Sequence, residues 1–113
     1  MDTNTIIDTI LLELRRGMII LAVLSQLEHE EYGYSLLTRL DEGGLEIDQG
    51  TLYPLMRRLE SQGLLESAWR IEEARPRRYY MLSPQGRQAL PRLREEWHRL
   101  GEVMDGLLGI HGS

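Results

Sequence analysis

The chain has 113 residues, 42% of them apolar, and no cysteine. This suits one domain and excludes a disulfide framework, a thiolate nucleophile and a cysteine-ligated metal. The net charge of −5 is unevenly spread: residues 1–48 balance at −7, residues 49–88 at +3 and residues 89–113 at −1.

From Thr3 to Leu27 the pattern is that of one long helix. Ile7, Leu11, Leu14, Met18 and Leu21 alternate spacings of four and three, so they share a face. Thr3 or Asn4 is expected to cap its start, and Gly17 is a point where it can bend. A polar, acidic linker, Glu28 to Tyr32, follows. Gly33 to Leu40 is a second, short helix, ended by Gly43-Gly44. Leu45 and Ile47 plug the turn beneath it.

Asp48 to Ser61 is the next helix, closed by Gly63. Leu52, Leu55, Met56 and Leu59 form its apolar face; Gln49, Thr51, Tyr53, Arg57, Arg58 and Ser61 form the other. Asp48 and Thr51 are alternative caps, and Pro54, which lacks an amide hydrogen, favours the later start. Two short helices joined by a glycine-containing turn make a helix-turn-helix, whose second helix reads a DNA major groove. The polar face has the side chains for this, since arginine, glutamine and threonine reach both phosphates and base edges.

The period then changes. Leu65, Ser67 and Trp69 alternate with Glu66, Ala68 and Arg70, as in a strand. Ile71 to Pro76 reads as a turn, and Arg77 to Leu82 as a second strand. The resulting hairpin is a wing beside the reading helix. The window Arg75 to Arg87 holds four arginines and no acid. Such a local patch, and not the total charge, is the electrostatic footprint of DNA binding. Ser83-Pro84 then starts a last helix reaching about Leu108, which Pro91 is expected to bend or split. In it Leu93, Trp97, Leu100, Met104 and Leu107 recur at the spacing of a helix packed along another helix. Gly106, Gly109 and Gly112 are expected to fray its end.

Several of these segments together resemble the PadR family of transcriptional regulators. They are Tyr32-Gly33-Tyr34, the run Gly50 to Glu60, Gly63-Leu64-Leu65, Arg75 to Tyr80, and Leu82-Ser83-Pro84-Gln85-Gly86, spanning roughly residues 17–90. Tyr32, where the family usually has histidine, and Ala74, where the wing often has glycine, depart from its pattern, and Glu72-Glu73 sits near the wing tip. The resemblance implies a mainly α fold with a two-stranded β-hairpin, a winged helix-turn-helix plus a C-terminal dimerisation helix. Residues 1–83 would form the DNA-binding part and residues 84–113 the dimerisation helix, in one compact unit. It also implies a homodimeric repressor, often released by a small molecule.

The expected DNA contacts are Gln49, Thr51, Tyr53, Arg57, Arg58, Arg75, Arg77 and Arg78. Arg57 and Arg58 point about 100° apart, so at most one is a central contact. Arg77 and Arg78 face opposite sides of a strand, which leaves one of them for a structural role. Tyr53 either faces the groove or is half buried against Leu36. Trp97, with Leu14, Met18 and Met104 as neighbours, either stacks on a planar apolar ligand at the dimer centre or simply packs the interface.

An enzyme is not expected. His29, His98 and His111 lie far apart, and neither a phosphate-binding glycine loop nor a nucleophile motif is present, so no cofactor or metal is implied. The first residues lack a basic stretch ahead of an apolar core, and the longest apolar run, Met18 to Leu24, is far short of the roughly 20 residues a membrane span needs. A cytoplasmic regulator of double-stranded DNA is the first reading. A dimeric winged-helix module that works by protein contacts is the alternative.

Overall fold

The computed structural model describes residues 2–110. Along the chain come α1 (Thr3–Ser25), β1 (Glu31–Tyr32), α2 (Gly33–Glu42), α3 (Gln49–Ser61), β2 (Leu65–Glu72), β3 (Arg75–Leu82) and α4 (Pro84–Leu108). The core gathers where the end of α1 meets the helix pair and the base of the hairpin. Val23, Leu24, Leu27, Leu36, Leu52, Met56, Leu59 and Leu82 are fully buried there, which supplies the hydrophobic drive for the fold.

The caps explain the helix boundaries. Asp2, not Thr3 or Asn4, caps α1: its carboxylate accepts the Thr5 amide at 2.8 Å. A carboxylate there also answers the positive end of the helix dipole. The helix stops at Ser25, short of Leu27, because the Leu27 carbonyl accepts the Leu82 amide at 2.8 Å. The expected end of the helix is thus tied to β3 by a backbone hydrogen bond. Asp48 caps α3 through the Thr51 amide at 2.7 Å. The later start that Pro54 suggested is therefore overturned. Proline inside the helix forfeits one hydrogen bond, and a capped extra turn with a buried Leu52 outweighs that.

The hairpin is longer and tighter than expected. Pairing runs from Leu65↔Leu82 to Glu72↔Arg75, so the turn is Glu73-Ala74 alone and not Ile71 to Pro76. Both turn residues have positive φ, 51° and 63°, as a two-residue hairpin turn that follows strand twist requires. Pro76 sits within β3 opposite Ile71. That pair lies between hydrogen-bonded pairs, so the nitrogen of Pro76 faces outward and no ladder bond is lost. The expected two strands are joined by a third. Glu31 and Tyr32, read as linker, pair with Tyr80 and Tyr79, giving the order β1-β3-β2.

A dense junction ties α3, the hairpin base and α4 together. The buried Ser83 hydroxyl donates to the Gly63 carbonyl at 2.5 Å and accepts the Gly86 amide at 3.0 Å. Gly63 adopts φ +86°, open to glycine at little cost. At Gly86 a Cβ would lie 2.1 Å from the Leu64 carbonyl oxygen. Pro91 does not split α4, which runs unbroken to Leu108 and is closed by left-handed Gly109 at φ 73°. Gly106 is helical rather than frayed; Gly112 and His111 lie outside the described residues.

Candidate nucleic-acid interface

Helix α3 is anchored by one face and free on the other. Leu52, Leu55, Met56 and Leu59 are buried, while Gln49, Thr51, Arg57 and Arg58 are exposed. The Asp48 carboxylate is held below its ordinary pKa, first by the side-chain hydrogen bond with Thr51. Tyr53 is half buried, packed against the core cluster that includes Leu36, and its ring also lies over Gly33: a Cβ on Gly33 would meet Tyr53 Cε1 at 2.4 Å. Gly33 therefore seats this ring at the start of α2.

The arginines of the wing are not equivalent. Arg78 donates to Glu60 at 2.7 Å and to the Ser67 hydroxyl at 3.0 Å, and Ser67 in turn donates to Glu60 at 2.5 Å. Its guanidinium also lies 5.3 Å from the Tyr80 ring centre and 5.8 Å from that of Trp69. Arg78 thus bolts the wing to the end of α3. Arg77, on the opposite face of β3, lies 3.6 Å from Glu72 and stacks 4.6 Å above Tyr32. Arg70 pairs with Glu30 at 2.5 Å and stacks 5.2 Å above Tyr79, whose ring meets Tyr32 edge-on at 5.6 Å. These cation–aromatic contacts explain why the two-residue β1 holds in place. Glu72, hydrogen-bonding toward Tyr79, pushes that phenol above its ordinary pKa, and burial does the same for Tyr80.

Three of the expected DNA-facing arginines, Arg57, Arg58 and Arg75, are exposed and form no ion pair among the described residues. They carry the uncompensated positive charge of this surface. Beside this surface, Tyr34 and Trp69, which were not among the expected contacts, line a cleft with Tyr53 and Arg57. The signal for Trp69 was available: it shares strand parity with Leu65, which is buried. Tyr34 stands in the Tyr32-Gly33-Tyr34 run that already carried the family resemblance.

The residues considered for a ligand stand elsewhere. Leu14 is 70% exposed, Trp97 52% and Met104 45%, and Met18 is half buried. The single chain does not enclose them. Among the described residues, no group of histidine, aspartate and glutamate is placed to hold a metal ion, and no helix is long and apolar enough to cross a membrane.

Residues 20–92 match the family described as "Transcriptional regulator PadR-like family". The chain belongs to that family. PadR regulators are non-enzymatic DNA-binding proteins. The chain is 40% identical over 80 residues to "Transcriptional regulator Rv3488" of Mycobacterium tuberculosis, an alignment covering 70% of this chain and 75% of that protein. Among solved structures, a PadR family transcriptional regulator from Eggerthella lenta superposes with TM-score 0.84 at 44% identity, covering 96% of each chain. A PadR-like transcriptional regulator from Bacillus cereus gives TM-score 0.76 at 25% identity, over 89% of this chain and 99% of that one.

Proposed function

We propose that this PadR protein is a homodimeric repressor that reads an inverted-repeat operator and is released by a small apolar or aromatic ligand. The observation that carries the DNA reading is the two-sidedness of α3: an apolar face locked in the core and an exposed face bearing Gln49, Thr51, Arg57 and Arg58. In this reading Gln49 and Thr51 meet base edges, Tyr53, Arg57 and Arg58 meet the groove and its phosphates, and Arg75 holds flanking backbone. Arg77 and Arg78 act on DNA by fixing the wing.

Exposed apolar residues support the dimer. Ile7, Leu11 and Leu14 on α1, and Leu93, Trp97, Leu100, Met104 and Leu107 on α4, are all exposed in the single chain. So many exposed large apolar side chains on two helices mark an interface. Residues 84–113 then serve as the dimerisation helix and residues 1–83 as the DNA-binding part. A planar ligand wedged beside Trp97, Leu14, Met18 and Met104 would change the separation of the two reading helices, and Trp97 fluorescence would report it.

The test is selection of bound duplexes from a random DNA pool. An inverted repeat with half-sites one or two helical turns apart is expected. Recovery of no motif by a folded, dimeric protein refutes operator reading and leaves a protein-interaction module. A compound panel that changes neither Trp97 fluorescence nor operator affinity removes the ligand part alone.

A further inference from the structure

The cleft between α3 and the hairpin has a volume of about 300 Å³. Tyr32, Tyr34, Tyr53, Tyr80, Met56 and Trp69 line it, together with Arg57, Arg77 and the fixed Arg78, and no carboxylate does. Its outer wall is apolar and open. Trp69 is 65% exposed, and Ile71, two residues nearer the wing tip, is 80% exposed. Alternate residues of a strand share a face. Leu65 is buried and Ser67 bonds Glu60 of α3, so Trp69 and Ile71 carry the same face outward, past the core and on the side of the reading helix.

The charge of this cleft is nearly cancelled. Arg78 is answered by Glu60 and Arg77 by Glu72 at 3.6 Å, while Arg57 forms no ion pair among the described residues. The cleft therefore offers one uncompensated guanidinium, four tyrosines and a flat apolar wall. A phosphodiester flanked by deoxyriboses has the matching composition: one negative charge between two largely apolar ring faces. The cleft is also continuous with the exposed face of α3 through Arg57.

We propose that this cleft seats one strand of the DNA backbone. A phosphate lies toward Arg57 and the hydroxyls of Tyr34 and Tyr53, and the adjoining sugars lie against Trp69 and Ile71. The assignment rests on the DNA reading above. It makes the Trp69–Ile71 face of the wing a largely nonionic contact, beside the ionic one at Arg75, and its contribution comes from covered apolar surface rather than from counterion release.

The test compares Trp69→Ala, Trp69→Phe and Arg57→Ala in the full chain, by fluorescence anisotropy of the selected duplex and of a random duplex across a salt series. Trp69 is mostly solvent-exposed, so its variants are expected to melt as the wild type does. Trp69→Ala is expected to weaken both duplexes by the same factor, about tenfold if roughly 60 Å² of apolar contact is lost. The slope of log affinity against log salt should stay unchanged. Trp69→Phe should restore most of the loss. Arg57→Ala should weaken binding and reduce the slope by about one.

The seat is overturned if the wild type binds duplex and Trp69→Ala binds equally well, if that variant changes the salt slope, or if its loss is confined to the selected duplex. Failure of the wild type to bind any duplex overturns the DNA reading itself, and the seat with it.

Discussion

Replacing Glu60 sets two effects of opposite sign against each other. Glu60 is an acid close to the proposed DNA face, so plain electrostatics says that removing its charge should tighten binding to a polyanion. It is also the anchor that receives Arg78 at 2.7 Å and Ser67 at 2.5 Å, joining the end of α3 to both strands of the wing. A hydrogen bond to a charged group contributes about 1.5–3 kcal/mol. The side chains of Arg78 and Glu60 keep 34% and 27% of their surface exposed, which puts this pair at the low end of that range. With the Ser67 bond added, Glu60→Ala should cost about 2 kcal/mol. That is a fall in Tm of roughly 8 °C for a chain of this size at fixed protein concentration. Glu60→Gln keeps hydrogen-bonding atoms but not the charge, and should cost about half as much. Both variants should bind the selected duplex more weakly, because the wing loses its set angle to α3. Thermal melts and anisotropy titrations measure the two effects separately. Tighter binding by Glu60→Gln with an unchanged Tm would refute the anchoring role.

Other substitutions probe the remaining joints. Gly86→Ala drives a Cβ to 2.1 Å from the Leu64 carbonyl, and backbone against backbone cannot give way cheaply; a loss of about 3 kcal/mol or more is expected in denaturant melts. Gly33→Ala meets only the Tyr53 side chain, at 2.4 Å, so it should cost about 1 kcal/mol of stability yet weaken DNA binding as Tyr53→Ala does, a split that paired melts and titrations reveal. The Asp48 pKa is lowered by its bonds to Thr51. Its contribution is therefore fully present above the unfolded value near 4 and is lost as pH falls through the lower, folded value. Asp48→Asn, a comparable cap, should match the wild type at neutral pH and show a shallower loss of stability in an acid titration.

Helix content was legible because caps and apolar spacing are local. Asp48, Gly43-Gly44, Gly63 and Ser83-Pro84 sit at or next to the helix ends they signal. Where a local signal competed with packing, packing decided: Pro54 argued for a later α3, but Asp48 and the buried Leu52 hold the earlier turn. β1 was illegible because two residues have no period; they are a strand only because Tyr79 and Tyr80 lie beside them. The tight turn was hidden because Glu73 and Ala74 adopt positive φ without the glycine or asparagine that usually announces it. The polar face of α3 could be read from spacing. The pairing of the arginines could not, since Glu60 and Arg78 are 18 residues apart and Glu30 and Arg70 are 40 apart.

The junction of Ser83, Gly63, Gly86 and Leu64 has a mechanical consequence. It welds the root of α4 to the end of α3 and to the base of the wing, with no slack residue between them. A chain joined this way transmits rotation from α4 to α3 and the wing. Its longest dimension is 53 Å, so a turn of about 5° at one end sweeps the other through roughly 4–5 Å, more than the rise of about 3.4 Å between successive nucleotides of a DNA strand. In the proposed dimer, a ligand would need to open the helix crossing by only a few degrees. The stiffness of the arm would convert that into a misfit at the operator of a full base-pair step.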